Sequence, residues 1–190
     1  MVYPMMEMIK NHQELTEKSI RELHEIILVE PYKTLAQTQG GVRVEKEVTL
    51  GAYKKLPNHV KTPTGEIHYY ATPEETPSKM ADLMAWLHEE QEKKELHPLA
   101  IAAIFHYRFV AIHPFDDGNG RMSRLLMNLL LMQDGYPPVV IKQEERNFYY
   151  NALRQADAGD LGAFVAFIGE NLLHSLEIYL RGAKGESIEE

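Results

Sequence analysis

Apolar residues at Leu15, Ile20, Leu23, Ile26 and Ile27, separated by charged ones, predict an amphipathic helix over 15–28 with Thr16 as its N-cap and Pro31 marking its end. From 40 to 73 the pattern changes to β-branched residues, glycines and prolines, with Val42, Val44, Val48 and Thr49 ahead of Gly51, then Thr62-Pro63-Thr64-Gly65 before Ile67-His68-Tyr69-Tyr70. This stretch predicts one short hairpin or flap. Helical spacing returns at Thr76-Pro77, read as a cap followed by a first-turn proline, and continues through Met80, Leu83, Met84 and Leu87 towards Lys93-Lys94. His97-Pro98 opens a further helix whose Ile101, Ile104, Phe105 and Phe109 are apolar. Helices over 121–133, 146–156 and from 161 to about 180 follow, separated by Asp134-Gly135, Pro137-Pro138 and Gly159-Asp160. The fold class is mainly α, a helical bundle with one β-hairpin flap around a single core. The boundaries expected are an N-terminal segment 1–14, one domain over 15–182 and a polar tail 183–190.

A length of 190 residues suits that one domain, and 44% apolar with 25% charged residues is the composition of an ordinary folded protein rather than a disordered one. The formal net charge of −8 disfavours non-specific binding to nucleic acid or to an anionic membrane, so neither partner is expected. Without cysteine the chain has no disulfide scaffold, no thiolate nucleophile and no zinc–cysteine site. No run of eighteen uninterrupted apolar residues and no signal-peptide layout at 1–10 are present, which makes the cytoplasm the expected location.

The chemistry concentrates in His113-Pro114-Phe115-Asp116-Asp117-Gly118-Asn119-Gly120-Arg121-Met122-Ser123-Arg124. The helix-forming residues 125–132 that follow place the Gly118-Asn119-Gly120 turn at a helix N-terminus, where backbone N–H groups and the helix dipole favour anions. Arg121 and Arg124, three apart on that helix, can grip successive phosphates through planar guanidinium forks. Asp117 is the natural Mg²⁺ ligand, because magnesium takes one or two carboxylates and completes its shell with phosphates and water. Asn119 can donate its amide to a phosphate oxygen. His113 alone has an ordinary pKa near neutrality, which makes it the candidate general base. Asp116 is expected to be solvated, His106 to be a packed core residue, and one of Tyr149 and Tyr150 to point into the core.

The run matches H-x-F-x-[DE]-G-N-G-R-x-x-R at every fixed position and so resembles the Fic-domain signature. Further matches at His97-Pro98, residues 125–128, 135–138 and Tyr149-Tyr150 resemble the subgroup that contains the animal chaperone-modifying Fic enzyme. The resemblance implies a Fic fold and a protein adenylyltransferase that moves AMP from ATP to a Ser, Thr or Tyr hydroxyl, with ATP and Mg²⁺ as cofactors. It implies His113 as base, Asp117 as metal ligand, and a nucleotide site of Gly118, Asn119, Gly120, Arg121, Met122, Ser123 and Arg124. Tyr149, Tyr150 and Asp157 fall on the adenine side by the same resemblance. Asp157 departs from the asparagine frequent there. A flap at about 60–70, carrying Gly65, Glu66, Ile67 and His68, would align the target by strand pairing.

The inhibitory pattern [ST]-x-x-x-E-[GN] has no convincing copy; Glu170-Asn171 is nearest, but Ala166 stands four residues before Glu170. In the subgroup resembled, that helix precedes the position of Leu15, so an uninhibited site is expected unless a preceding segment or an inhibitory partner supplies the restraint. Alternatives left open are transfer of another nucleotide or a phosphate, a non-catalytic nucleotide- or protein-binding module, self-modification as an additional reaction, and a homodimer.

Overall fold

Reciprocal capping starts the first predicted helix: the Ser19 N–H donates to Thr16 Oγ1 at 3.1 Å, and the Thr16 N–H donates to Ser19 Oγ at 2.9 Å. The computed structural model describes residues 2–37, 43–61, 65 and 67–187. Among them are seven α-helices: α1 Val2–Lys10, α2 Glu17–Leu28, α3 Thr76–Lys93, α4 Pro98–Ile112, α5 Asn119–Gln133, α6 Arg146–Asp157 and α7 Leu161–Ala183. The strands are β1 Tyr32–Gln37, β2 Arg43–Val48, β3 Val60–Lys61 and β4 Ile67–His68, and a single 3₁₀ turn, Gln143–Glu145, precedes α6. The mainly helical class expected from the sequence is the one observed.

Contacts gather the chain into two units. The first comprises Leu15–Trp86 and Phe109–Met122; the second comprises Val2–Glu14, Leu87–Arg108 and Ser123–Glu190.

In the first unit α2 buries Ile20, Leu23, His24 and Leu28, a face at i, i+3, i+4 and i+8 that faces the core. Val48, Met80, Phe109, Phe115 and Met122 are buried with them. The single hairpin expected is corrected to two. β1 pairs antiparallel with β2 from Tyr32↔Val48 to Gln37↔Arg43, and β3 pairs with β4 at Val60↔His68 and Lys61↔Ile67. β1 escaped the sequence reading because Tyr-Lys-Thr-Leu-Ala-Gln has no clean apolar alternation; its partner strand defines it. The cap of α3 is also corrected. Thr72, not Thr76, closes a capping box: the Thr72 N–H donates to Glu75 Oε2 at 2.8 Å and the Glu75 N–H to Thr72 Oγ1 at 3.2 Å, with Pro73 between them.

In the second unit the N-terminal segment, for which no element was predicted, contains α1. The Gln133 amide holds its end, donating to Met8 O at 3.2 Å and Gln13 O at 2.8 Å. Leu126, Met127, Leu129, Leu130 and Leu131 of α5 are buried, as a continuous apolar run requires. Asp160 caps α7 by accepting the Ala163 N–H at 3.2 Å. α7 is long and apolar enough to cross a bilayer by length and composition alone, yet it buries a stripe of Phe164, Ile168, Asn171, Leu172 and Ser175, the pattern of a helix packed against protein.

Candidate active site

α4 delivers the chain to His113, the first residue of the signature. The His113 N–H still donates to Phe109 O at 2.9 Å, but its φ is +53°, so it occupies the left-handed position that usually ends a helix with glycine. A side chain there costs about 1–2 kcal/mol, and the surroundings supply the compensation. The ammonium of buried Lys54 donates to Ile112 O at 3.1 Å and His113 O at 2.9 Å, satisfying carbonyls at the end of α4. Tyr70 stacks on the imidazole at 4.0 Å with the planes 8° apart. Asn58 Nδ2 lies 2.7 Å from His113 Nδ1 and Asn119 Nδ2 lies 3.2 Å from it. Burial pushes His113 down to about 3; the Lys54 cation adds to this and Asp117 opposes it. His68 and Lys46 also lower it.

The two acids of the loop have different fates. Asp116, expected to be solvated, is instead paired with Lys46 of β2 at 2.5 Å, with side-chain exposures of 6% and 13%. Asp117 remains half exposed. Its Oδ1 accepts the Gly118 N–H at 2.6 Å, and its Oδ2 accepts the Tyr32 hydroxyl and lies 3.7 Å from Arg121. Burial pushes the Asp117 carboxyl up, but Tyr32, the Gly118 N–H and Arg121 together outweigh it and leave the carboxyl below its ordinary value. Gly118 has φ +80°, and a Cβ there would meet Leu28 Cδ2 at 3.3 Å and His24 Nε2 at 3.4 Å. The angle therefore selects glycine, and a Cβ would in addition press the Leu28 side chain back by a few tenths of an ångström. His24 locks the turn from below. Its Nδ1 accepts the Gly51 N–H at 3.0 Å, which leaves Nε2–H to donate to Asp117 O at 3.0 Å, and the ring stacks on Phe115 at 3.8 Å.

α5 begins at Asn119, two residues earlier than periodicity suggested, with the Met122 N–H on Gly118 O at 2.8 Å. Asn119 and Gly120 are therefore first-turn residues of the helix. Asn119 is 2% exposed and spends its amide on the loop itself: Oδ1 accepts the Phe115 N–H at 2.9 Å and Nδ2 donates to Phe115 O at 2.8 Å. Arg121 is exposed beside Asp117, an anion that offsets the unfavourable dipole. Met122 and Ser123 are fully buried, so neither side chain is presented to solvent. Of the flap positions, Gly65 is exposed with φ +89°, Ile67 is 52% exposed and His68 sits edge-on to Tyr70 at 4.8 Å. Glu66 lies outside the described residues.

In the second unit an open cavity of about 330 Å³ is lined by Arg124, Ile141, Lys142, Gln143, Arg146, Tyr149 and Tyr150. Asn128 holds the segment leading into it by a two-way backbone pairing with Val139, at 2.8 and 2.9 Å. Tyr149 points inward, its hydroxyl 2.9 Å from Nε2 of His106, while Tyr150 is 46% exposed with the Arg146 guanidinium 5.5 Å from its ring centre. Adjacent positions on a helix dictate that division. His106 is fully buried, as expected of a core histidine, and burial holds it at about 3. Asp157, at the end of α6, accepts the Tyr107 hydroxyl at 3.1 Å.

Lys54, Asn58, Tyr70, His24, Tyr32 and Lys46 all support the loop, and the sequence reading assigned none of them. His24 was legible, because it stands four residues after Ile20 on the buried face of α2. The others come from loops and strands whose partners are distant in sequence, so no local period marks them.

The Fic/DOC family profile matches residues 14–131. The chain is 40% identical over 169 residues to the protein adenylyltransferase Fic of Drosophila grimshawi, a match covering 88% of this chain and 30% of that protein. Among solved structures, a Fic domain-containing signaling protein from Bacteroides thetaiotaomicron superposes with a TM-score of 0.83 at 40% identity, covering 98% of this chain and 71% of that one. Fic-1 from C. elegans does so with a TM-score of 0.71 at 30% identity, covering 96% and 50%. The chain thus spans less than a third of the length of the curated relatives it matches. With the signature intact at 113–124 and the profile covering more than half of its length, this chain belongs to the Fic/DOC family.

Proposed function

We propose that this chain is a protein adenylyltransferase that transfers AMP from ATP to a Ser, Thr or Tyr hydroxyl of a protein. The observation that carries the reading is the loop itself, in which a neutral buried histidine, a half-exposed carboxylate and a helix N-terminus stand within a few residues. Relatives at 40% identity bear the name of this activity, which supports it. In the proposed step the target hydroxyl oxygen attacks the α-phosphorus, the bond from that phosphorus to the β-phosphate oxygen breaks, and pyrophosphate leaves. His113 takes the hydroxyl proton, a role worth about 10²–10⁴-fold. The rest of the rate comes from alignment and from charge stabilisation at the start of α5.

Among the described residues no three acidic or histidine side chains gather as an all-protein metal site. One ionised, half-exposed carboxylate suits magnesium that arrives with its nucleotide, and Asp117 would hold it. Bound there, the ion would neutralise phosphate charge. The cavity beside Tyr150, with Arg124, Lys142 and Arg146 on its wall, has the cationic and aromatic groups that phosphates and a nucleobase select. The exposed edge near Ile67 is assigned to the target backbone.

The test is ATP labelled at the α- or the γ-phosphate, given with Mg²⁺ to wild type and to His113→Ala, with self-modification as readout. Protein label from α alone, lost in the variant, supports the proposal. Label from γ makes the chain a kinase, and no label in the presence of a modifiable target makes it a binding module.

A further inference from the structure

The hydrogen bonds around His113 determine which ring nitrogen carries its proton. Asn58 Oδ1 accepts from Lys54 Nζ at 2.8 Å, so its amide nitrogen faces the other way, donating to Phe115 O at 2.8 Å and His113 O at 3.1 Å. Asn119 is oriented just as firmly, since its Oδ1 accepts the Phe115 N–H and its Nδ2 donates to Phe115 O. Neither amide can be reversed without losing these partners. Both groups that meet His113 Nδ1, at 2.7 and 3.2 Å, are therefore amide nitrogens, which can donate but not accept, the two Asn58 hydrogens being shared among Phe115 O, His113 O and Nδ1. A nitrogen facing only donors must offer its lone pair, and a neutral imidazole has one lone pair and one N–H. The proton then sits on Nε2, and Tyr70 stacked at 4.0 Å hinders the ring from turning over.

A base needs its lone pair where the proton arrives. Here that pair is covered by Asn58 and Asn119, and the other nitrogen is already protonated. We infer that Asn58 is a positioning residue that helps store His113 in a resting, non-basic tautomer, and that AMP transfer requires the Asn58 amide, together with the Asn119 amide at 3.2 Å, to leave Nδ1 so that the ring proton moves there and frees Nε2. This inference rests on the reading of His113 as the base. The step is balanced within the ring: Nε2 gives up one proton, Nδ1 gains one, and the vacated Nε2 lone pair receives the target hydroxyl proton. Lys54 couples the device to the backbone, because the ammonium that orients Asn58 also holds the His113 carbonyl. The charged groups acting on the ring are Lys54, Lys46 and Asp117, with His68 as a further titratable neighbour, and Asp117 alone of these favours a charged imidazole.

The experiment is ring ¹⁵N–¹H spectroscopy of the histidine-labelled full chain, with the His113 signals assigned by their loss in His113→Ala, on wild type and on Asn58→Asp. A carboxylate at 58 accepts rather than donates, so it should draw the proton to Nδ1. Expected are an Nε2–H ring in wild type, an Nδ1–H ring in Asn58→Asp, and a His113 titration raised by about 1–3 units in the variant. The kcat for AMP transfer should rise in Asn58→Asp while KM for ATP stays within about twofold. A wild-type ring protonated at Nδ1 overturns the inference without any variant. A switched tautomer with kcat unchanged or lowered overturns the release step. Transfer surviving in His113→Ala would instead remove the base assignment and leave the tautomer result standing.

Discussion

Replacing Lys54 with methionine tests whether the signature loop is held by residues outside the signature, in the segment between β2 and β3. Methionine keeps the length of the stem and removes the ammonium, so the packing is preserved while three hydrogen bonds are lost. An acceptor orphaned in a buried place costs about 1–3 kcal/mol. Ile112 O and His113 O lie at the end of α4 and have to find other donors, whereas Asn58 Oδ1 can turn. No longer burying a cation offsets part of this, because Lys54 is only 2% exposed. The expected net destabilisation is about 2 kcal/mol, read as a lower urea midpoint with an unchanged slope. The deficit should also depend on pH. Burial lowers Lys54 to about 8 from 10.5, so between those values the unfolded chain keeps a proton that the folded chain has released. This group therefore adds stability as pH rises through that window, and the difference between wild type and Lys54→Met should widen from about pH 7 to about pH 10. A destabilisation below about 0.5 kcal/mol, the level of an ordinary surface change, would refute the reasoning.

Gly118→Ala combines a left-handed backbone angle with contacts to Leu28 and His24. It should cost about 1–3 kcal/mol in chemical denaturation. Arg124→Ala, on the cavity wall, should raise KM for ATP by about tenfold in steady-state kinetics while stability changes by no more than about 0.5 kcal/mol. His24, His106 and His113 are all lowered by burial, so the unfolded chain binds protons first on acidification and stability falls as pH drops below about 6.5. A urea series from about pH 7 to pH 4 should show that loss, and His106→Gln should make it shallower.

The helices with strong periodicity were legible within about three residues, because an amphipathic stripe and a local cap are written in consecutive residues. Thr16 and Ser19 are such a case. At α3 two candidate caps, Thr72 and Thr76, stand four residues apart, and the fold decides for Thr72 with Glu75. α1 is a short methionine-rich run, and β1 acquires its identity only from pairing with β2, which a local reading cannot see. The signature loop shows the same division. Its glycine turn and its anion-favouring helix start could be read from the order of residues. That Asp116 is buried on Lys46 while Asp117 is left half exposed depends on a strand some seventy residues away in sequence. Asn58 and Lys54, which orient the histidine, carry no pattern at all until the loop is folded against them.

The most direct test of nucleotidyl transfer as the reaction is the nucleotide product formed as the protein becomes modified. Wild-type chain with Mg²⁺, ATP and a modifiable protein should release one pyrophosphate for each AMP attached, and His113→Ala should release it at least about 10²-fold more slowly. Stoichiometric ADP, or pyrophosphate release unchanged by the loss of His113, would contradict the account.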